Sequence, residues 1–272
     1  MSTSSGITTK ELSCGRTESS PRPEPGIQLL VAPSVEAVAL HAARALMEAC
    51  QSPHGRPLGL ATGRTMVPVY QAFVALARNL PSRERDQLRH QWRSFNLDDY
   101  VGLGPQHPGS FAADMRIHLR DPLGIEPDRV RLPDGLAVDP EAEAQRYSAA
   151  LREAGGVGLQ LLGLGLNGHV GFNEPPCGAD SRARCVRLSD STRRANAGAF
   201  GGDPERVPPL AITLGLADIL QAERILLVVT GAAKAPVLRR LMGGEPSADL
   251  PASWLHNHPS VCLVADPSAL AP

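Results

Sequence analysis

Residues 157–175 read VGLQLLGLGLNGHVGFNEP, and this stretch decides the fold class. Its first half is an apolar run with the length of a buried strand, and its second half is a polar loop. Continuously apolar strands are typical of parallel sheets that carry helices on both faces. The stretch therefore predicts an α/β fold in which a polar loop follows the carboxyl end of a strand.

The rest of the chain repeats this alternation of apolar runs and helical patterns. Further strands are predicted at 27–32, 57–62, 92–97, 129–133, 224–231 and 261–266. Helices are predicted at 34–51, 63–78, 139–155, 232–244 and 252–257, with Ser34, Thr65 and Asp139 as N-caps. Residues 98–110, which follow one of the strands, are predicted to form a loop.

Strands that alternate with helices predict a single doubly wound, mainly parallel sheet with helices on both faces, a Rossmann-like three-layer α/β architecture. We assign residues 27–272 to this one domain because no linker interrupts the pattern. Residues 1–26 are rich in Ser, Thr, Pro and Gly and cannot bury enough apolar surface to fold, so we expect a disordered tail.

Composition excludes several classes of protein. The net charge is −1, with no basic run, which argues against nucleic-acid binding. Five cysteines occur at irregular spacings without a C-x-x-C pair, which predicts reduced thiols in a cytoplasmic protein and neither zinc nor redox motifs. No apolar run is long enough to span a membrane, and no secretory signal is evident at the N-terminus.

Three polar loops follow predicted strands, where doubly wound sheets bind ligands. The first, Thr62-Gly63-Arg64-Thr65, precedes a helix. Its glycine, its two hydroxyl groups and the helix N-terminus would together make a phosphate site, although an ordinary capped turn has the same features.

The second loop begins with Asp98 and Asp99. One of them, turned into a cleft, could act as a general acid or base, and the other would point outside it. A solvated acidic turn is the alternative interpretation, and from the loop alone it is favoured.

The third loop opens as Gly163-x-Gly165-x-x-Gly168, which matches the dinucleotide-binding fingerprint. That fingerprint requires a helix at the glycines, and the two prolines that follow argue against one. What remains is His169 between Asn167 and Glu174, a set of groups that can move a proton near neutral pH. By contrast, His256 and His258 lack ligand spacing and are predicted to be surface residues.

Taken together, these loops resemble the glucosamine-6-phosphate deaminase (isomerase) family. The resemblance rests on LGLATGRT, FNLDDYVGL, LGLGLNGHVGFNEP, TRRANAGAF and PASWLHNHPSV, which follow the family's order and cover nearly all of residues 27–272. The NGH and FNEP segments are the most specific. The related 6-phosphogluconolactonases share a similar loop but lack FNEP.

The resemblance implies roles for individual residues. Asp98 matches the carboxylate that shuttles a proton between C2 and C1, and His169 matches the base that opens the sugar ring. Asn167 and Glu174 match the groups that orient His169, and since an amide carries no charge, His169 should rely on Glu174 for electrostatic support. The groups matching the phosphate site are Thr62, Gly63, Arg64, Thr65 and Lys234. Neither a metal nor an organic cofactor is implied.

Two departures from the family concern the phosphate. Arg64 stands where the family usually has glycine, and Gly198 stands where the family usually has a phosphate-binding arginine. We hypothesise that Arg64 replaces the guanidinium lost at Gly198, since arginine can bind phosphate in bidentate fashion from either side. Val186 replaces a lysine of the allosteric site in larger members, so we expect no such activation and a monomer or small homo-oligomer.

The leading hypothesis is an enzyme that releases ammonia from glucosamine 6-phosphate. Three alternatives remain at this point: a deaminase for another amino-sugar phosphate, a 6-phosphogluconolactonase, and a non-enzymatic sugar-phosphate sensor. Asp98 and FNEP count against the lactonase, because lactone hydrolysis needs no C2–C1 proton transfer. A sensor would usually carry a DNA-binding module, which the short N-terminal tail does not resemble.

Overall fold

The computed structural model describes residues 26–52 and 55–271 and has a seven-stranded parallel sheet at its centre. The strands are β1 (Ile27–Val31), β2 (Leu58–Leu60), β3 (Ser94–Asn96), β5 (Val130–Arg131), β6 (Leu159–Gly163), β9 (Arg224–Val229) and β10 (Val261–Ala265). Their order across the sheet is β1-β10-β9-β6-β2-β3-β5. The predicted doubly wound α/β class is confirmed.

The strand order reverses in the middle of this sheet. From β2 the chain proceeds outward to β3 and β5, and from β6 it proceeds outward in the other direction to β9 and β10. The carboxyl ends of the adjacent strands β2 and β6 therefore flank the topological switch point, where open α/β sheets bind ligands. Two of the three predicted functional loops follow these two strands.

Helices surround the sheet. They are α1 (Val35–Gln51), α2 (Met66–Arg78), α3 (Ser82–Gln91), α4 (Phe111–Met115), α5 (Asp121–Leu123), α6 (Pro140–Glu153), α7 (Asp190–Asn196), α8 (Leu216–Ile219) and α9 (Ala235–Gly243). A π-helical turn, Arg116–Arg120, joins α4 to α5, and the segment predicted at 252–257 is a 3₁₀ helix, Pro251–Asn257. No helix among the described residues is both long enough and apolar enough to cross a membrane.

Two of the three predicted N-caps hold their helices through side chains. The Ser34 hydroxyl accepts a hydrogen bond from the N–H of Ala37 at 3.2 Å, and the Asp139 carboxylate accepts bonds from the second and third N–H groups of α6. Thr65 is the N-cap of α2, but its hydroxyl makes no capping bond. The expected cap is wrong for Thr65 in this respect, and its hydroxyl stays available for a ligand.

The prediction of a loop at 98–110 is wrong at its start. Asp98–Tyr100 forms a strand, β4, in a second, three-stranded antiparallel sheet with β7 (Arg184–Arg187) and β8 (Leu210–Thr213). Asp98 pairs with Thr213 in this sheet. Two adjacent aspartates are typical of a solvated turn, but both Asp98 and Asp99 are buried in this structure.

The small sheet has its own apolar cluster. Tyr100 packs against three phenylalanine rings at centroid distances of 4.8–5.6 Å: Phe111, Phe172 and Phe200. The main core is aliphatic, as the scarcity of aromatic residues implies. Most of the aromatic residues outside that core therefore serve to fix the position of the small sheet beside the carboxyl ends of the large one.

Neither of the two histidines that were predicted at the surface is fully exposed. His258 was predicted at the surface, but it is buried: its Nδ1 accepts from the N–H of Ser260 and its Nε2 lies 2.8 Å from the Ala222 carbonyl oxygen. His256 is partly buried, with Nε2 2.8 Å from the Leu241 carbonyl oxygen.

The predicted disordered tail falls almost wholly on residues 1–25, which lie outside the described part of the chain.

Candidate active site

A cleft of about 930 Å³ opens at the switch point and brings the three predicted loops together. Its walls include nearly all of the predicted site residues: Thr62, Gly63, Arg64, Thr65, Asp98, His169 and Lys234. Asn167 and Glu174 do not line the cleft, but they bind to one another behind His169. The loops thus form one site, as their positions at neighbouring strand ends predicted.

The glycines that mimic a dinucleotide fingerprint serve close packing in this structure. A Cβ atom at Gly165 would lie 2.3 Å from the His169 ring, and one at Gly168, whose φ is +87°, would lie 2.3 Å from Leu250. The N–H of Gly165 donates to the His169 carbonyl oxygen and closes a tight turn rather than beginning a helix. These glycines therefore leave space for the His169 ring and Leu250, and the turn places no helix N-terminus where it could bind a pyrophosphate.

His169 begins a hydrogen-bonded relay. Its Nδ1 lies 2.6 Å from Oδ1 of Asn167, and the Asn167 amide nitrogen donates to Oε1 of Glu174 at 3.1 Å. Because Glu174 accepts from the amide nitrogen, the Asn167 oxygen must face the ring and accept from Nδ1–H. This assignment places the proton on Nδ1 and leaves the Nε2 lone pair free to accept a proton.

Glu174 is held by groups that the sequence alone did not single out. The Ser189 hydroxyl donates to Oε1 at 2.6 Å, the Ser189 N–H donates to Oε2 at 2.8 Å, and the Thr192 hydroxyl donates to Oε1. Ser189 is also the N-cap of α7. The only sequence signal here is a serine at an N-cap position, which by itself indicates a helix start and not a partner for a carboxylate.

The protonation states of this relay follow from its surroundings. Burial lowers the pKa of His169 to about 4; nearby Glu174 opposes this effect and Lys234 adds to it. Burial raises the pKa of Glu174, but the hydrogen bonds from Ser189 and Thr192 and the proximity of His169 lower it overall. At neutral pH the relay therefore consists of a neutral imidazole, a neutral amide and a charged carboxylate.

Glu174 acts on His169 through its charge, as expected, but the hydrogen bonds between them pass through Asn167. Glu174 raises the pKa of His169 electrostatically, but no hydrogen bond joins the two side chains among the described contacts, since the Asn167 amide lies between them. The imidazole therefore keeps a low pKa, which suits a base that must be unprotonated before it reacts.

Asp98 and Asp99 divide as predicted, although both are buried. Asp98 lines the cleft, and burial and the neighbouring Asp99 charge raise its pKa to about 8. Asp99 turns to the start of α4, where its carboxylate accepts from the N–H groups of Tyr100, Phe111 and Ala112. Burial raises the pKa of Asp99 to about 6 in spite of those bonds. Of these two carboxyl groups, only Asp98 can therefore contact a ligand in the cleft.

The cleft also carries positive charge. Lys234 is the N-cap of α9, and its Nζ donates to the Leu164 carbonyl oxygen at 2.6 Å. Burial lowers the pKa of Lys234 and the nearby charge of Arg64 lowers it further. Two cations that destabilise one another, beside the N-terminus of α2, make a site that an anion would stabilise.

Gly198 also lines the cleft, as part of a 3₁₀ turn, Ala197–Phe200. A Cβ atom at this position would meet no other heavy atom within 4 Å. A side chain at this position could therefore begin without a collision at its Cβ atom. The described residues contain no cluster of three or more His, Cys, Asp or Glu side chains that could hold a metal ion.

The sequence matches the family model of glucosamine-6-phosphate isomerases and 6-phosphogluconolactonases over residues 32–263. The chain belongs to this family. A glucosamine-6-phosphate deaminase of Hahella chejuensis is 40% identical over 89% of this chain and 90% of the relative. Glucosamine-6-phosphate deaminase 2 of Bacillus subtilis is 38% identical over 88% of this chain and 95% of the relative.

Solved structures agree with this membership. A monomeric glucosamine-6-phosphate deaminase of the NagB superfamily superimposes with a TM-score of 0.83 at 35% identity, covering 90% of this chain and all of that one. The 6-phosphogluconolactonase from Trypanosoma cruzi superimposes with a TM-score of 0.70 at 19% identity, covering 90% of this chain and 96% of that one, which shows a shared fold.

Replacing Asn167 with Asp is expected to raise the pKa of His169. The change places a negative charge beside Nδ1, which is 2.6 Å from Oδ1 of residue 167, and an adjacent opposite charge stabilises the imidazolium. We expect the pKa to rise by roughly 1–3 units. An NMR titration would follow the ring proton signal that disappears in His169→Gln.

The control is Asn167→Ala, which removes both of these side-chain hydrogen bonds and adds no charge. A rise of similar size in this control would show that lost contacts, not charge, govern the pKa. An unchanged pKa in Asn167→Asp would contradict the relay as assigned.

Proposed function

We propose that this protein is a glucosamine-6-phosphate deaminase, which converts glucosamine 6-phosphate and water to fructose 6-phosphate and ammonia. The observation that carries the proposal is the presence, in one cleft, of a buried carboxyl at Asp98, a neutral imidazole at His169 and the cations Arg64 and Lys234. The relatives reported above that share 35–40% of their residues with this chain are named for the same activity.

Ring opening is the task we assign to His169. Its free Nε2 accepts the proton of the sugar's O1 hydroxyl while the bond between C1 and the ring oxygen breaks, and the imidazolium that forms returns this proton to the ring oxygen. Asn167 keeps the imidazole in the required tautomer, and Glu174 stabilises the imidazolium that forms. The product of this step is the open-chain aldehyde.

Isomerisation is the task we assign to Asp98. The ionised carboxylate removes the proton from C2 and returns it to C1, while one proton of the amino group passes to O1. The 2-amino aldose thereby becomes a 1-hydroxy 2-imine. Water then adds to C2 and ammonia leaves, which gives the ketose phosphate. One group can serve both carbons because C1 and C2 are adjacent, and its raised pKa makes it a stronger base than an exposed carboxylate.

Phosphate binding is the task we assign to Thr62, Gly63, Arg64, Thr65 and Lys234. The free Thr65 hydroxyl, the N-terminus of α2 and two side-chain cations support this assignment. Fixing the phosphate at this end would orient C1 and C2 toward His169 and Asp98. We also propose that the protein works as a monomer or small homo-oligomer; its predicted cytoplasmic location stays a prediction.

The direct test is the release of ammonia and fructose 6-phosphate from glucosamine 6-phosphate by the purified protein. Galactosamine 6-phosphate and 6-phosphogluconolactone would be assayed in parallel, because both carry the phosphate. Activity on glucosamine 6-phosphate with little on the lactone is the expected result. A folded protein that hydrolyses only the lactone, or that binds phosphosugars without turnover, would refute the proposal.

A further inference from the structure

Asp114 is a carboxyl group in the wall of the cleft to which the proposed reaction gives no task. It lies in α4, and 30% of its side chain is exposed. The cleft lining includes Asp114 together with Gly63 and Thr65 of the loop assigned to phosphate binding. A potential negative charge therefore lies beside a loop whose other features attract anions.

The surroundings of Asp114 come from four parts of the chain. The backbone N–H of Gly63, in the loop before α2, stabilises the charged carboxylate. His118, on the π-helical turn one helical turn later, places Nε2 3.4 Å from Oδ1. The remaining titratable neighbours are Tyr70 of α2 and Asp99 of β4, and both interact with the Asp114 charge.

These surroundings favour the protonated carboxyl more than water does. Burial raises the pKa of Asp114, and although His118 and the Gly63 N–H oppose the effect, the net shift is upward. A phosphate dianion bound at the loop would add negative charge nearby and raise that pKa further. In its protonated form the same group becomes a hydrogen-bond donor.

We propose that Asp114 binds the phosphoryl group of the substrate as a protonated carboxyl, so that phosphate binding at this loop takes up one proton. The inference rests on the proposed function for the position of the phosphate. The proton comes from solvent, and His118, 27% of whose side chain is exposed, offers a route to it. The phosphate remains a dianion that accepts the Asp114 O–H, and no bond to phosphorus changes.

This role differs from that of a structural tether. A carboxylate that only accepted the Gly63 N–H would remain charged, would repel the ligand and would exchange no proton. Asp114→Asn separates the two roles, since the amide can still accept from Gly63 and can donate to phosphate, but cannot take up a proton.

The experiment is isothermal titration calorimetry with glucitol 6-phosphate, which carries the phosphate but has no carbonyl group to react. It is carried out in the Asp98→Asn background, which removes the other titrating carboxyl of the cleft. Titrations at one pH in two buffers of different ionisation enthalpy count the protons taken up. Glucitol without phosphate is the ligand control, and His118→Gln tests whether the proton resides on the neighbouring ring.

We expect a proton uptake that Asp114→Asn abolishes while it retains binding. In parallel, the KM of the otherwise wild-type protein for glucosamine 6-phosphate should rise with pH, by up to roughly tenfold per unit, and the Asp114→Asn variant should flatten this slope without a matching change in kcat. Uptake that survives Asp114→Asn, or that only His118→Gln removes, overturns the inference, as does the absence of uptake. The calorimetry needs no turnover, so its result is independent of whether the deaminase assay succeeds.

Discussion

The Asp98→Asn variant is expected to lose activity by about 10²–10⁴ in kcat, the usual contribution of a general base. Asn has nearly the same shape as Asp but cannot accept a proton from C2, so the transfer to C1 should fail while phosphate binding persists. The measurement is ammonia release at saturating glucosamine 6-phosphate, together with exchange of the C2 proton in deuterated water. Both should fall together.

The pH dependence of the unmodified protein follows from the same group. Burial raises the pKa of Asp98 to about 8, and the base form is the ionised one. The value of kcat should therefore rise with pH up to about 8. The pKa of His169, at about 4, should produce no inflection between pH 5 and 8, because the imidazole is neutral throughout that range.

Stability should change in the opposite sense. The pKa of Asp98 is higher in the folded than in the unfolded chain, so its contribution to stability is fully present below about pH 4 and is lost as the pH rises through about 8. Asp98→Asn, which is never charged, should melt at a higher temperature than the unmodified protein at pH 8, and the difference should shrink toward pH 4.

Asp99→Asn is the matched control, because it changes the adjacent buried carboxyl that caps α4 and does not line the cleft. It should keep a high maximal rate, and the rising limb of kcat should move to lower pH as the charge next to Asp98 disappears. If Asp99→Asn loses as much activity as Asp98→Asn, the assignment of Asp98 as the proton carrier is wrong.

The main sheet could be predicted because its strands are continuously apolar. The run at Leu159–Gly163 contains no polar side chain apart from Gln160, so its period and length indicated a buried strand. The small antiparallel sheet could not be predicted in this way. Its strand β4 contains two aspartates, which are atypical of a buried strand. Asp99 binds N–H groups of α4 and Asp98 lines the cleft, and only the tertiary structure provides these environments.

The candidate site divides in the same manner. His169, Asn167 and Glu174 are close in sequence, and the chain turns tightly between them, so their interaction was predictable. Ser189 and Thr192 reach Glu174 from α7, 15 and 18 residues later, and no local pattern announces that contact. The burial of His258 was missed for a similar reason, since its partner, the Ala222 carbonyl oxygen, is 36 residues away.

Arg64→Gly is expected to raise the KM for glucosamine 6-phosphate by roughly 10- to 100-fold, in line with about 1.5–3 kcal/mol for a hydrogen bond to a charged group. Lys234 already donates a hydrogen bond to the Leu164 carbonyl oxygen. Without Arg64, this lysine would be the one remaining cation among the residues assigned to the phosphate. Steady-state kinetics on glucosamine 6-phosphate measures the effect. Unphosphorylated glucosamine is the internal control, because its weak binding should not depend on Arg64.

The second half of the test adds an arginine at Gly198. A Cβ atom at this position meets no neighbour, and a guanidinium carried from there would enter the same cleft. Gly198→Arg should therefore recover most of the affinity that Arg64→Gly loses, whereas Gly198→Ala, which adds only a methyl group, should recover none. An Arg64→Gly variant with an unchanged KM would show that Arg64 does not replace the missing arginine, and rescue by alanine would show that packing rather than charge at residue 198 controls binding.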